Sequence, residues 1–276
     1  MSVPPIGTVD IPDRIERDRY FKQLAYLELS ALFAGPLKPS ALARWAEIAP
    51  KGGLGLVAPA VLTHRNPPKA AKAWPSDATT GDFRDSPAGR VALAALRTAV
   101  DTLGARCVVF RSPSLFAPSA ANRDQLRRFF TEVATADAVG CQRVWVPDGL
   151  WEVPTALKLA TEIGVTLAFD PNVREPGMPA EVHFELEAES FYLRIEGLRP
   201  GKLSAERLED LAMLIEHFEG TELTVAFASP ERWNDAKNLK KLIAESVPTD
   251  ADDDSADDDS EDDDSEDVTD DDVAQN

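Results

Sequence analysis

The feature that most constrains this chain is an alternation repeated along its body: a short β-branched or apolar run, then a segment of helical period. Strand, helix and strand in succession pack as a parallel pair, because the helix crosses back over the sheet to bury its apolar stripe. The runs predict strands over Ile6–Val9, Tyr26–Phe33, Leu54–Leu62, Cys107–Ser112, Arg143–Pro147, Thr166–Asp170, Phe191–Glu196 and Leu223–Ala228. Helices are expected over Ser40–Ile48, Gly89–Leu103, Asn122–Thr135, Thr155–Ile163, Ser204–His217 and Arg232–Ala244, with Ser204 as a cap ahead of Glu206. Eight strands alternating with helices over about 245 residues match an α/β closed (β/α)8 TIM-like barrel in both number and length. An open doubly wound sheet fits the alternation too, but its first turn normally carries G-x-G-x-x-G, and IGTVDIP does not. The stretch Pro171–Glu189 shows no helical period. Residues 65–87, with Pro67, Pro68, Pro75 and Pro87, are long enough for a lid over the barrel mouth.

Charge divides the chain. The formal net charge is −19, yet residues from Asp250 onward hold 16 acidic side chains and no Lys or Arg, leaving 32 acids against 29 bases before them. This predicts a nearly neutral barrel over residues 1–248 and an acidic tail over 249–276. The tail repeats D-D-D-S without aromatics, so it is expected to be disordered. It can serve as a solubilising extension or as a polyanion for a basic protein partner, and its serines are candidate phosphorylation sites. The body has no basic stripe, which argues against nucleic acid. No apolar run approaches the roughly 18 residues that span a bilayer, so no membrane role is expected. The opening residues lack a basic stretch followed by an apolar one, and there are two cysteines, which together point to the cytoplasm.

In order along the chain stand Glu28 with Phe33 in LELSALF, Trp45–Pro50, Thr63 and His64 in VLTH, Val108–Asn122, WVPDGLW at 145–151, FDP at 169–171, YLRIEG at 192–197 and FASPERWNDA at 227–236. In this order the motifs resemble the DUF72 (YecE-like) family, whose members are TIM barrels of unestablished activity. The resemblance runs from about Tyr20 to Ile243 and marks a divergent member. It implies a Lys where this chain has Val57, a Gln at Arg111, Glu and Arg at Val146 and Asp148, a His at Glu196, and two Asn at Ala228 and Ser229. A Tyr and a Thr implied near the second strand appear as Ala34 and Leu32. Glu28, Thr63, His64, Asp170, Arg194 and Asp235 survive, with the packing residues Trp45, Trp145, Pro147 and Trp151.

Alternation along FYLRIEG puts Tyr192, Arg194 and Glu196 on one face and Phe191, Leu193 and Ile195 on the other. The apolar face must meet the helices, so Arg194 and Glu196 point inward. The same logic turns Glu28, Arg111, Val146, Asp148 and Asp170 inward near the C-terminal strand ends, where barrel active sites sit. Four carboxylates against two guanidiniums predict an acidic mouth, unsuited to phosphate. Glu28, His64, Asp170 and Arg194 are the candidate catalytic residues. The bland alternative is a buried ion-pair network around Arg194 and a hydrogen-bonded His64 at a strand end. Carboxylates near His64 can in principle ligate a metal, although no H-x-x-E, H-x-H or H-E-x-x-H spacing supports it. Glu28 and Glu196 form a glycosidase dyad only if their separation suits.

Asp235 fits a helix start, His217 an amphipathic helix, and His183 a loop. Cys107 and Cys141 fit small core residues at N-terminal strand ends. No P-loop, G-x-S-x-G or C-x-x-C is present, and the motifs name no cofactor. Two functions remain: a degenerate barrel acting as a binding or interaction protein, or a hydrolase acting on a small polar or sugar-like substrate at the mouth.

Overall fold

The computed structural model describes residues 3–71, 73–173, 180–197 and 201–246. The acidic tail expected to be disordered lies outside the described residues. Eight strands close into a parallel barrel in sequence order: β1 Ile6–Val9, β2 Tyr26–Leu29, β3 Leu54–Val57, β4 Cys107–Arg111, β5 Gln142–Val146, β6 Thr166–Phe169, β7 Ser190–Ile195 and β8 Glu222–Phe227. The seam forms between β8 and β1, with Ile6 opposite Val225 and Thr8 opposite Phe227. An open sheet is thereby excluded. Around the strands run α1 Arg17–Gln23, α2 Ala31–Ala34, α3 Pro39–Ile48, α4 Ala60–Thr63, α5 Pro87–Leu103, α6 Ala120–Arg128, α7 Ala136–Val139, α8 Val153–Glu162, α9 Ala205–His217 and α10 Arg232–Ser246.

Local chemistry explains the helix limits. Ahead of α5, Ser86 accepts the Gly89 N–H, Pro87 supplies a preset φ, and Gly104 ends the helix at φ +56°. Its buried face, Ala92, Leu93, Leu96, Ala99, Val100 and Leu103, keeps helical spacing. Ser204 caps α9 by accepting the Arg207 N–H, as its position predicts.

Several expected limits shift. The strand expected over Tyr26–Phe33 stops at Leu29: Ser30 gives its backbone N–H to Asp10 at 2.9 Å, and the apolar run continues as the single turn α2. The strand expected over Leu54–Leu62 ends at Val57, and Pro59, which has no N–H for a sheet ladder, opens α4. Helix α1 has no counterpart among the expected helices, because within RDRYFKQ only Tyr20 is buried and the apolar stripe is too thin to register. The helix expected over Asn122–Thr135 widens into a π turn at Phe129–Val133. Arg143 takes up freed carbonyls there, donating to Phe130 O at 2.7 Å and Ala134 O at 3.0 Å. Within 171–189 a 3₁₀ helix, Ala180–Glu185, is present, too short for a helical period to show.

The segment 65–87 is tied down rather than lid-like. The Trp74 indole donates to Leu32 O at 2.8 Å, and Phe83 is fully buried among Phe116, Phe129 and Phe130. Outward strand residues such as Leu27, Phe110, Trp145, Leu193 and Phe227 join the helix-facing core. Inside the barrel, Tyr26, Cys107, Val109, Val144, Ala168, Tyr192 and Ala226 form a second cluster. Gly55 makes room for it: a Cβ there would lie 1.8 Å from the Tyr26 hydroxyl oxygen.

Candidate functional site

Above that cluster the barrel axis turns polar. Glu28 on β2 is 0% exposed and Arg194 on β7 is 5% exposed, and Arg194 Nε donates to Glu28 Oε1 at 3.2 Å. Tyr192 donates its hydroxyl to Glu28 Oε2 at 2.6 Å and stands 3.0 Å from the Tyr26 hydroxyl, which reaches Cys107 Sγ at 3.3 Å. A second Arg194 nitrogen pairs with Glu196 Oε1, whose side chain is 53% exposed. Arg111 then reaches the same oxygen at 4.0 Å. The strand alternation thus turns Glu28, Arg111 and Arg194 to the interior, as expected.

Electrostatics fix the protonation states along this chain. Burial opposes the charge on Arg194, but Glu28 and Glu196 together overcome it and push its pKa up, so it stays cationic. Burial, then the neighbouring Glu28 charge, pushes Tyr192 well above the phenol range. Burial, then Cys107 and Glu28, does the same to Tyr26. Both remain hydroxyl donors. Burial pushes the Cys107 thiol up to about 12, leaving a small core residue and not a nucleophile. Cys141, just ahead of β5, is likewise raised to about 12 by burial.

Asp170 follows β6, and its oxygens are consumed locally. One accepts the backbone N–H groups of Glu196 at 2.8 Å and Gly197 at 3.1 Å; the other accepts the Asn172 backbone N–H at 2.9 Å and side-chain amide at 3.1 Å. Burial raises its pKa even against these four donors. Its work is to tie the end of β7 to the turn after β6.

Beside the axis, on the β4–β7 sector, lies a cavity of about 450 Å³. Apolar walls come from Val146, Trp151, Pro154, Phe169, Val182 and Leu186, and polar groups from Arg111, Asp148, Glu152, Asp170, Arg194 and Glu196. Four carboxylates face two guanidiniums there, but Glu152 stands in the set where the alternation predicts Glu28, which is not part of the lining. The Trp151 indole, held by a 2.7 Å bond to Phe116 O, stands edge-on to Trp145. His183, expected in a loop, sits in the 3₁₀ helix, buried and stacked on Phe169 with ring centroids 5.3 Å apart. It lines the cavity, and sequence reasoning misses it because no periodicity marks so short a helix.

Of the four candidates, Asp170 and Arg194 line the cavity. Glu28 lies beneath it, wholly covered and engaged by Arg194 and Tyr192, so the proposed Glu28–Glu196 dyad has one member closed to substrate. His64 stands apart from the cavity lining. It caps the short α4 instead of ending a strand, bonds Thr63 Oγ1 through Nδ1 at 2.7 Å and packs edge-on to Phe33. Burial first, and then the Arg111 charge, lowers its pKa to about 4 against weaker pulls from Asp148 and Asp82, so it is neutral near pH 7.

Asp235 is a buried tie, accepting from the Ser229 hydroxyl at 2.9 Å and the Leu203 N–H at 3.2 Å. His217 ends α9, with Nε2 2.8 Å from Phe184 O. Among the described residues no cluster of three or more His, Cys, Asp or Glu is arranged to hold a metal ion. Among them, too, no helix is long and apolar enough to cross a membrane.

Closed parallel strands, helices outside and a polar mouth at the C-terminal strand ends define a TIM-type barrel. Within that class the fold is similar to a DUF72 family protein from Enterococcus faecalis V583, with a TM-score of 0.62 and 10% identity over 88% of this chain and 94% of that one. A DUF72 family protein from Thermotoga maritima MSB8 follows at 0.56 and 14%, covering 84% and 92%. The catalytic domain of β-amylase from Paenibacillus polymyxa gives 0.50 and 7%, covering 90% and 100%. No family model and no curated protein matches the sequence. The likeness in fold agrees with the family that the ordered sequence motifs resemble.

Proposed function

We propose that this chain is a divergent DUF72-like barrel that binds a small molecule in the β4–β7 cavity without transforming it. The observation that carries this reading is that the two candidate carboxylates, Glu28 and Asp170, are already engaged by donors of the protein itself. Glu28 is held by Arg194 and Tyr192 out of reach of a ligand, and the oxygens of Asp170 are taken by N–H donors. Acid–base catalysis needs a titrating group within hydrogen-bond reach of the reacting atom. Of the candidate residues, His64 is neutral near pH 7 but is not part of the cavity wall. What the cavity supplies instead is an apolar pocket of ligand size with a few charged groups at its edge, the usual make-up of a binding site. The acidic stretch over 249–276 is proposed as a separate appendage, available to basic partners by charge alone.

The test is a thermal-shift screen of sugars, amino acids, carboxylates, amines and phosphorylated metabolites. Each hit is followed by isothermal titration calorimetry and by NMR of the recovered ligand. Saturable binding with the ligand unchanged is the expected outcome. Turnover of a sugar-like substrate that disappears in Glu28→Gln or Asp170→Asn overturns the reading in favour of the hydrolase.

A further inference from the structure

Arg111 is the loose end of the mouth network. Among the described residues its guanidinium donates no hydrogen bond; the nearest carboxylate oxygen is Glu196 Oε1 at 4.0 Å, already paired with Arg194. Its side chain is 40% exposed and lines the cavity. A planar guanidinium fork with no hydrogen-bond partner among the described residues is complementary to a carboxylate, which it binds through two parallel N–H···O bonds. Charge around the rest of the cavity runs the other way, since Asp148, Glu152, Asp170 and Glu196 outnumber Arg111 and Arg194. A ligand carrying only negative charge would meet an opposing field, and one carrying only positive charge would leave Arg111 unpaired beside it.

Resting on the binding reading above, we propose that the cavity accepts a zwitterionic α-amino acid, or a close analogue, with a bulky apolar side chain. Its carboxylate sits on the Arg111 fork, its ammonium faces Glu196 and Asp148, and its apolar body lies against Trp151 and Phe169.

Isothermal titration of the full chain with L-phenylalanine, 3-phenylpropionate and phenethylamine separates the three contributions. L-Phenylalanine should bind tightest, with each half-ligand weaker by ~10-fold or more, about the effect of one charge-assisted hydrogen bond. Arg111→Gln should weaken L-phenylalanine and 3-phenylpropionate by ~10-fold while leaving phenethylamine unchanged or improved. Glu196→Gln should weaken L-phenylalanine and phenethylamine while sparing 3-phenylpropionate, which keeps the test open if the first variant folds poorly. Equal affinity for the amino acid and either half-ligand overturns the proposal, as does unchanged L-phenylalanine affinity in Arg111→Gln. Absence of binding by all three probes overturns it as well. If all three fail while a molecule of other chemistry occupies the cavity, the binding reading stands and only the ligand class falls.

Discussion

Replacing Arg194 by Met removes the cation from a pair in which Glu28 is fully covered and, among the described residues, has only Tyr192 as its other hydrogen-bond donor. Met fills similar space, so the loss is electrostatic and not a cavity. Removing one partner of a buried ion pair costs about 3–5 kcal/mol, because the remaining charge keeps its desolvation penalty. The Glu196 arm adds little, since that side chain is half exposed and screened. For a domain of this size the expected fall in Tm is roughly 6–20 °C, taking about 2–4 °C per kcal/mol. Urea unfolding at pH 7, followed by tryptophan fluorescence, measures it directly. Glu28→Gln alone leaves Arg194 its Glu196 partner, and the double variant removes both buried charges while the introduced amide oxygen still accepts from Tyr192. The double variant should therefore be more stable than the sum of the two single losses by about 1–3 kcal/mol. Strict additivity, or a loss below about 1 kcal/mol in Arg194→Met, would refute the account of a desolvated, mutually dependent pair.

The remaining predictions concern other parts of the molecule. His64 has its folded pKa lowered to about 4, below the unfolded value near 6.5. Its contribution is thus fully present above pH 6.5 and is lost as pH falls toward 4. His64→Asn should flatten the dependence of Tm on pH across that window, and an unchanged slope counts against the assignment. Asp170→Ala leaves the Glu196 and Gly197 N–H groups without their acceptor and should cost about 1–3 kcal/mol. Hydrogen exchange at those two amides should quicken; equal protection would show that the carboxylate is dispensable. Truncation at residue 248 should shift Tm by no more than about a degree, as for surface changes away from stabilising features. Any capture of basic proteins by the full chain should fade as salt rises and vanish in the truncated form.

What can be read from the chain, and what cannot, follows from the range of the interactions. Alternation is local, so YLRIEG suffices to turn Arg194 inward, and YLEL does the same for Glu28 together with Tyr26. Which carboxylate Arg194 meets depends on barrel closure across 166 residues, and no pattern in the sequence encodes it. The roles of Asp170 and His64 escape a sequence reading for a related reason. Polarity marks a residue as worth placing, but two of the N–H groups that occupy Asp170 come from just past the end of β7, 26 and 27 residues on. His64 owes its position to Pro59 and the one-turn helix that follows, where an unbroken apolar run suggests a strand. His183 carries no periodic signal at all, and its burial, its stacking on Phe169 and its place in the cavity wall emerge from the fold.

The Glu28–Arg194 link is a chord drawn from β2 to β7 across the barrel, and Tyr192 doubles it. Barrels of this kind are often imagined as two half-barrels that can form separately. Here an N-terminal half would carry the buried carboxylate and a C-terminal half the buried guanidinium, each without its counter-charge. Either half folded alone would leave its charge facing water, whereas closing the ring desolvates both charges and pairs them in the same step. Charge neutralisation and ring closure are therefore a single event, which makes the folding of this barrel more all-or-none than its modular appearance suggests.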